Sequence, residues 1–275
     1  MGAFALLIVA TGCGRPGAPE WGGLQPTVLE PAPIRDPAAA TRSVSERLDP
    51  VPAPAGGETA WPLFAAVADP GGPTAPPPSL VAHVVVPEIS VFGHPGGRYP
   101  VASFTRQGTF GEPRVFLVRE ARPRWLRVLL PIRPNGTEGW IKRQDVRISR
   151  HRFAVRVDLS ERRLWVRRRA TVILRTSVSV GRGESPTPTG LFFTSLPARA
   201  TDPAGSYGPF AYGLSGYSEV YTEFAGGNGQ IAIHGTNAPQ LIGQAVSAGC
   251  VRVPNRIILR LAEILPLGTP VRIVR

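Results

Sequence analysis

The chain has 275 residues, a net charge of +12 and a sequence pI of about 11.1, with 31 Gly and 31 Pro but only two Cys. That length suits two modest domains or one domain with a long tail, and two cysteines exclude a disulfide-stapled scaffold. Residues 1–82 hold 4 basic against 7 acidic side chains and residues 83–275 hold 27 against 12, so the basic part is the part expected to fold.

The opening MGAFALLIVATGC is an apolar run ending in small residues before Cys13. It has the character of a lipoprotein-type export segment over residues 1–13, in which Cys13 is lipidated and becomes the mature N-terminus; a plain secretory signal or short anchor is the alternative, and each exports the chain. No later segment approaches the ~18 to 20 apolar residues of a membrane span, so membrane contact is expected only through that anchor or signal. Residues 14–80 read as a disordered Pro-rich tether, because residues 1–82 hold 15 of the prolines and no alternating apolar run of useful length.

From residue 81 to 148 short apolar runs such as VAHVVV, RVFLV and WLRVLLPI alternate with Pro-Gly-Gly and Pro-Asn-Gly turns. This is the pattern of a small barrel. Its ending, Gly139-Trp140-Ile141 and then Asp145-Val146, resembles the last strands of a bacterial SH3-like domain. No convergent catalytic set lies in it, so binding or positioning is its expected role, with a plain spacer as the alternative.

Residues 149–275 are expected to be mostly strand. Phe153, Val155 and Val157, then Leu164 and Val166, then Val172, Leu174, Thr176, Val178 and Val180 approximate period two, and the intervening arginines fall on the wet face. A helix is expected after Asn255, a possible cap, with Ile257, Ile258, Leu261, Ile264 and Leu265 on one face, and Pro266 and Gly268 ending it. A shorter helix is expected from Asn237 toward Val246 with Pro239 in its first turn.

Export changes the meaning of Cys250. With Cys13 lipidated or removed it is a lone thiol in a compartment where thiols normally pair, which points to chemistry or else to an inert core thiol. His234 follows an apolar strand sixteen residues earlier, close enough for an imidazole to activate the thiol. The N–H groups of Gly249 and Cys250 are candidate oxyanion donors, and Arg252, two residues on, would share the side of Cys250 in an extended stretch and could take a substrate carboxylate.

His234-Gly235-Thr236, Ser247-Ala248-Gly249-Cys250-Val251-Arg252, Asn255 and Pro266-Leu267-Gly268-Thr269-Pro270-Val271 resemble, in order and spacing, the L,D-transpeptidase (YkuD-type) catalytic domain. Gly181 and Ser185-Pro186-Thr187-Pro188-Thr189-Gly190 are similar to that family's upstream turn. The resemblance covers about residues 150–275 and departs at Ala248, where the family commonly has a second histidine. It implies a mainly β, sandwich-like domain with short helices behind the SH3-like barrel, Cys250 as nucleophile, His234 as base, Gly249 in the oxyanion site, and Arg252, Thr236, Ser247, Asn255 and Tyr212 toward substrate. Tyr207, Tyr212, Tyr217 and Tyr221 could line a lid.

The implied reaction is acyl transfer on peptidoglycan stem peptides in the cell envelope, releasing D-Ala and joining two third residues. An L,D-carboxypeptidase using the same site and a non-catalytic, lipid-anchored wall-binding protein are the rival readings. Sortase and NlpC/P60 enzymes fit less well, by spacing and by order of Cys and His. No cofactor is expected. No metal is expected either, since His83, His94, His151 and His234 are dispersed. Nucleic acid is not an expected partner of an exported chain; anionic wall polymers are.

Overall fold

The computed structural model describes residues 78–224 and 227–275, together with the backbone of residues 24–26. The segment expected to direct export, with Cys13, and most of the expected tether therefore lie outside the described residues. The fold is mainly β.

A short first strand, β1 (Leu24–Pro26), precedes a five-stranded sheet built from β2 (Ser79–Val84), β5 (Val115–Ala121), β6 (Trp125–Leu129), β7 (Glu138–Lys142) and β8 (Val146–His151), in the order β7-β6-β5-β2-β8. The hairpin β3 (Glu88–Val91) and β4 (Ala102–Thr105) closes over it. Ala82, Val84, Ile89, Phe116, Leu126 and Ile141 form its core.

The other face of this sheet is also apolar. Val81, Val115, Leu117 and Leu129 pack against Phe193, Leu191 and Leu267 of the C-terminal half, which explains why Val81 and Ala82, on opposite faces of β2, are both apolar. A Cβ at Gly268 would run into the Val81 side chain, so the seam requires glycine there.

The C-terminal half is organised by one long sheet. Its strands are β9 (Phe153–Asp158), β10 (Arg163–Arg168), β11 (Thr171–Ser177), β13 (Gly190–Ala200), β14 (Phe210–Tyr217), β15 (Gln230–His234), β17 (Val251–Arg252) and β18 (Pro270–Val274), in the order β11-β10-β9-β18-β13-β14-β15-β17. β1 pairs with the far end of β13. β12 (Val180–Gly181) and β16 (Ala245–Ser247) form a separate parallel pair. Inward residues at period two, among them Val155, Val157, Leu164, Val166, Phe192, Tyr212 and Ile233, enclose the core with Ile258 and Leu261 of helix α1 (Asn255–Ile264).

Two sequence expectations need correction. Asn255 does not cap α1, whose N-terminus is Pro254 with no side-chain cap bond; its amide is used elsewhere. The helix expected from Asn237 is a single 3-10 turn, Pro239–Leu241, followed by strand β16. Gly243 with φ +96° breaks the helical path, and the Ser179 hydroxyl takes the Leu241 carbonyl at 2.6 Å.

The N-terminal sheet also grips the hairpin between β14 and β15. Asn135 donates to the Tyr217 carbonyl (2.8 Å) and accepts from its N–H (2.9 Å), and the Tyr217 hydroxyl donates to the Pro131 carbonyl (2.8 Å). The Arg133 guanidinium lies over the Tyr217 ring and donates to the carbonyls of Ser218, Tyr221 and Asn228.

Candidate active site

Two parallel strands set the geometry. β15 and β17 pair with Ile233 opposite Val251 and His234 opposite Arg252, and the Val253 N–H donates to the His234 carbonyl at 2.9 Å. Ile233, Val251 and Val253 face the core. Alternation therefore turns His234, Arg252 and, just before β17, Cys250 to the opposite face, with Cys250 beside Ala232. A hydrogen bond from the Ala232 backbone to the thiol agrees with that placement.

The loop that presents Cys250 is built from short polar side chains. The Ser247 hydroxyl donates to the Cys250 carbonyl (2.6 Å) and accepts from the Gly249 N–H (3.2 Å), while Gly249 adopts φ +118°. Arg182 N–H and the Ser185 hydroxyl both donate to the Ser247 carbonyl, at 3.0 and 3.3 Å, and the Thr187 hydroxyl accepts from Gly181 N–H at 2.8 Å. Ser185 and Thr187 thus back the thiol loop from below. Sequence reasoning saw them only as a turn; their burial at 0 and 3 % was the signal it lacked.

His234 is buried, and its Nδ1 lies 2.6 Å from the Gly235 carbonyl. That oxygen can only accept, so Nδ1 carries the proton and Nε2 the lone pair. Burial holds the imidazole pKa down to about 4, helped by the Arg252 charge and opposed by the carbonyls of Gly235 and Tyr207. Burial pushes the Cys250 thiol up, against the Ala232 hydrogen bond and the Arg252 charge. Cys250 is nonetheless half-exposed as a residue. Both shifts favour the neutral forms, thiol and imidazole.

Arg252 bears on both groups, and its Nε is buried without a hydrogen-bond partner among the described residues. An unpaired buried guanidinium donor at this position suits an incoming anion. The segment from Asp202 to Pro209 covers the other side of His234, with the Tyr207 ring 4.8 Å from the imidazole. Burial, and then the nearness of Cys250, pushes the Tyr207 phenol up to about 12. A small cavity is lined by Leu196, Ala198, Ala211, Gly213, Gln230, Ile231 and Ala232, the last of these beside Cys250 in the strand register. Small side chains at Ala198, Ala211, Gly213 and Ala232 keep its floor low.

Several expected site residues are placed differently. Tyr212 is 1 % exposed and its hydroxyl donates to the Leu265 carbonyl (2.8 Å), so it is a core residue and not a substrate contact; Tyr207 occupies the position by the site. Tyr217 is held by the N-terminal sheet rather than over the site. Gly249 gives its N–H to Ser247, so it is not free to serve as the anticipated oxyanion donor. Ser247 and Thr236 are buried and hold backbone, Thr236 accepting from Ala238 N–H at 3.0 Å. Asn255 accepts from the Thr236 N–H (2.7 Å), tying α1 to the turn after His234.

Residues 152–273 match the family model of the L,D-transpeptidase catalytic domain (YkuD). The chain is 37 % identical over 121 residues to a protein of Bacillus licheniformis named "Putative L,D-transpeptidase YkuD", covering 44 % of this chain and 65 % of that protein. A protein of the same name from Bacillus subtilis is 35 % identical over 123 residues, covering 45 % and 66 %. The chain thus spans just under two thirds of the length of these curated relatives. Among solved structures, L,D-transpeptidase 3 of Mycobacterium tuberculosis aligns with a TM-score of 0.38 at 14 % identity, over 51 % of this chain and 74 % of that one.

Proposed function

Taking residues 152–273 as an L,D-transpeptidase catalytic domain, we propose that the protein is an exported cysteine acyltransferase that crosslinks peptidoglycan stem peptides. The observation that carries this reading is the common face of Cys250, His234 and Arg252 on adjacent strands.

In the proposed reaction the Cys250 sulfur attacks the carbonyl after the third residue of a donor stem, and its proton passes to Nε2 of His234. Because both shifts favour the neutral forms, the proposed step is general-base catalysis. The Cys250 N–H faces the developing oxyanion. Collapse breaks the amide bond, the leaving D-Ala nitrogen takes the proton from His234, and a thioester remains. An acceptor amine then attacks the thioester as His234 takes its proton; the C–S bond breaks and the departing sulfur recovers that proton from His234 as the thiol. Arg252 holds a substrate carboxylate throughout. Gly235 fixes the imidazole tautomer. With Ala248 in place of a second histidine, His234 is the one histidine of this block.

Within this proposal the N-terminal sheet is an SH3-like positioning module and the chain is held at the envelope through Cys13. Incubation with a tetrapeptide stem and an amine acceptor, followed by mass analysis, tests the reaction. A crosslinked dimer with release of D-Ala supports it. Tripeptide without dimer would establish the carboxypeptidase instead, and no turnover with an unmodified Cys250 would leave a binding protein.

A further inference from the structure

The outer face of the long sheet, at the end remote from Cys250, carries a row of cations. Arg175 on β11 stands opposite Trp165 on β10, Trp165 opposite Arg156 on β9, and Arg156 opposite Arg272 on β18. Four side chains in one line across four strands span about 14 Å at the ordinary strand spacing. Arg163, two residues from Trp165, adds a fifth group to the same face. The inward partners of these residues, Val155, Val157, Leu164, Val166 and Ile273, fill the core, which fixes the arginines outward.

These charges are not consumed by neighbours. Arg163, Arg175 and Arg272 are exposed and make no ion pair among the described residues. Arg156 lies over the Trp165 ring and pairs with Asp158. Asp158 itself is 5 % exposed, its Oδ1 taken by the Ser160 N–H, the Ser160 hydroxyl and the Glu161 N–H. The exposed arginines of β11, β10 and β18, unpaired among the described residues, repel one another across one face, a cost that an anionic partner would remove.

We propose that this face is a docking surface for an anionic, carboxylate-bearing polysaccharide of the wall. The choice of occupant rests on the function proposed above; the charge row does not. Guanidinium forks match carboxylates in bidentate fashion, and the half-buried Trp165 offers a flat apolar surface for a sugar ring between them. The face is a strip rather than a pocket, which suits an extended polymer running across the strands while the thiol, farther along the same sheet, works on a stem.

The test is binding of the full chain to a polygalacturonate oligomer at low salt, with neutral dextran, a single-stranded oligonucleotide and anionic lipid vesicles as parallel arms. An Arg175→Gln/Arg272→Gln variant is expected to weaken polygalacturonate binding at least tenfold and to flatten its salt dependence, while acyl transfer on a short soluble stem stays unchanged. Trp165→Ala is expected to weaken binding without altering the salt slope. Unchanged binding by the double variant would overturn the proposal, as would tighter binding of the oligonucleotide or vesicles than of the polysaccharide. Loss of acyl transfer in the unmodified chain would overturn the enzymatic reading instead, so the two failures are separable.

Discussion

Cys250 and His234 stand one diagonal step apart on the same face of two parallel strands, because His234 pairs with Arg252 and Cys250 precedes Arg252 by two residues. Diagonal neighbours on a sheet lie about 7–8 Å apart. The pairing of β15 with β17 thus sets thiol and imidazole on one face, and a one-residue slip would send them to opposite sides.

The first prediction concerns the nucleophile. Cys250→Ala is expected to abolish acyl transfer while the thermal midpoint moves by only a few degrees, since the half-exposed thiol contributes little packing. A carbapenem is expected to add its mass to the unmodified chain and not to the variant, as read by intact mass spectrometry.

The second prediction is a pH dependence. His234 titrates near 4 in the folded chain and near 6.5 unfolded, so the unfolded state binds the extra proton between those values and stability falls as pH drops through that window. The loss from this residue is on the order of 3 kcal/mol by pH 4. His151, also held down to about 4 by burial, adds to the same trend. Urea titrations at pH 7 and pH 4.5 measure it; His234→Gln should reduce the difference. In kinetics, the acid limb of kcat/KM should lie well below the ordinary histidine range.

The third prediction concerns the turn around the imidazole. A Cβ on Gly208, which has φ +62°, would meet the Asn255 amide oxygen and come within 2.6 Å of the Thr236 nitrogen. Gly208→Ala should therefore displace the segment that carries Tyr207 and cut turnover at least tenfold. Asn255→Ala should instead cost stability, about 1 to 3 kcal/mol, by leaving the Thr236 N–H unpaired.

The fourth prediction is at the seam between the sheets. Asn135→Ala removes both partners of the Tyr217 backbone and is expected to destabilise the chain by about 1 to 3 kcal/mol in urea titration. Asn135→Asp keeps the acceptor and loses the donor, so its cost should be smaller.

Much of this was legible in the order of residues. Period two marked β9, β10 and β11, because each has one wet face and one core face. His234, Cys250 and Arg252 were legible as a set, since they lie within nineteen positions and one local pairing joins them. Which tyrosine flanks the site was not. Tyr207 and Tyr212 have similar surroundings in sequence, and only the β13–β14–β15 register decides that Tyr212 turns into the core while Tyr207 meets His234. Asn255 was misread for a related reason: a side chain suited to capping found a backbone donor nineteen positions away instead. The contacts of Arg133 and Asn135 join positions more than eighty apart, a separation at which no periodic pattern leaves a trace.

The apolar seam has an evolutionary corollary. Val81 rests where Gly268 has no side chain, and Phe193 is buried with Val115, Leu117 and Leu129 of the other sheet. The two halves are therefore not interchangeable beads. A relative's catalytic half grafted behind this N-terminal sheet would have to bring glycine at 268 and fitting apolar residues at 191 and 193. Any shuffling of such modules would leave its mark at those positions before it touched the thiol.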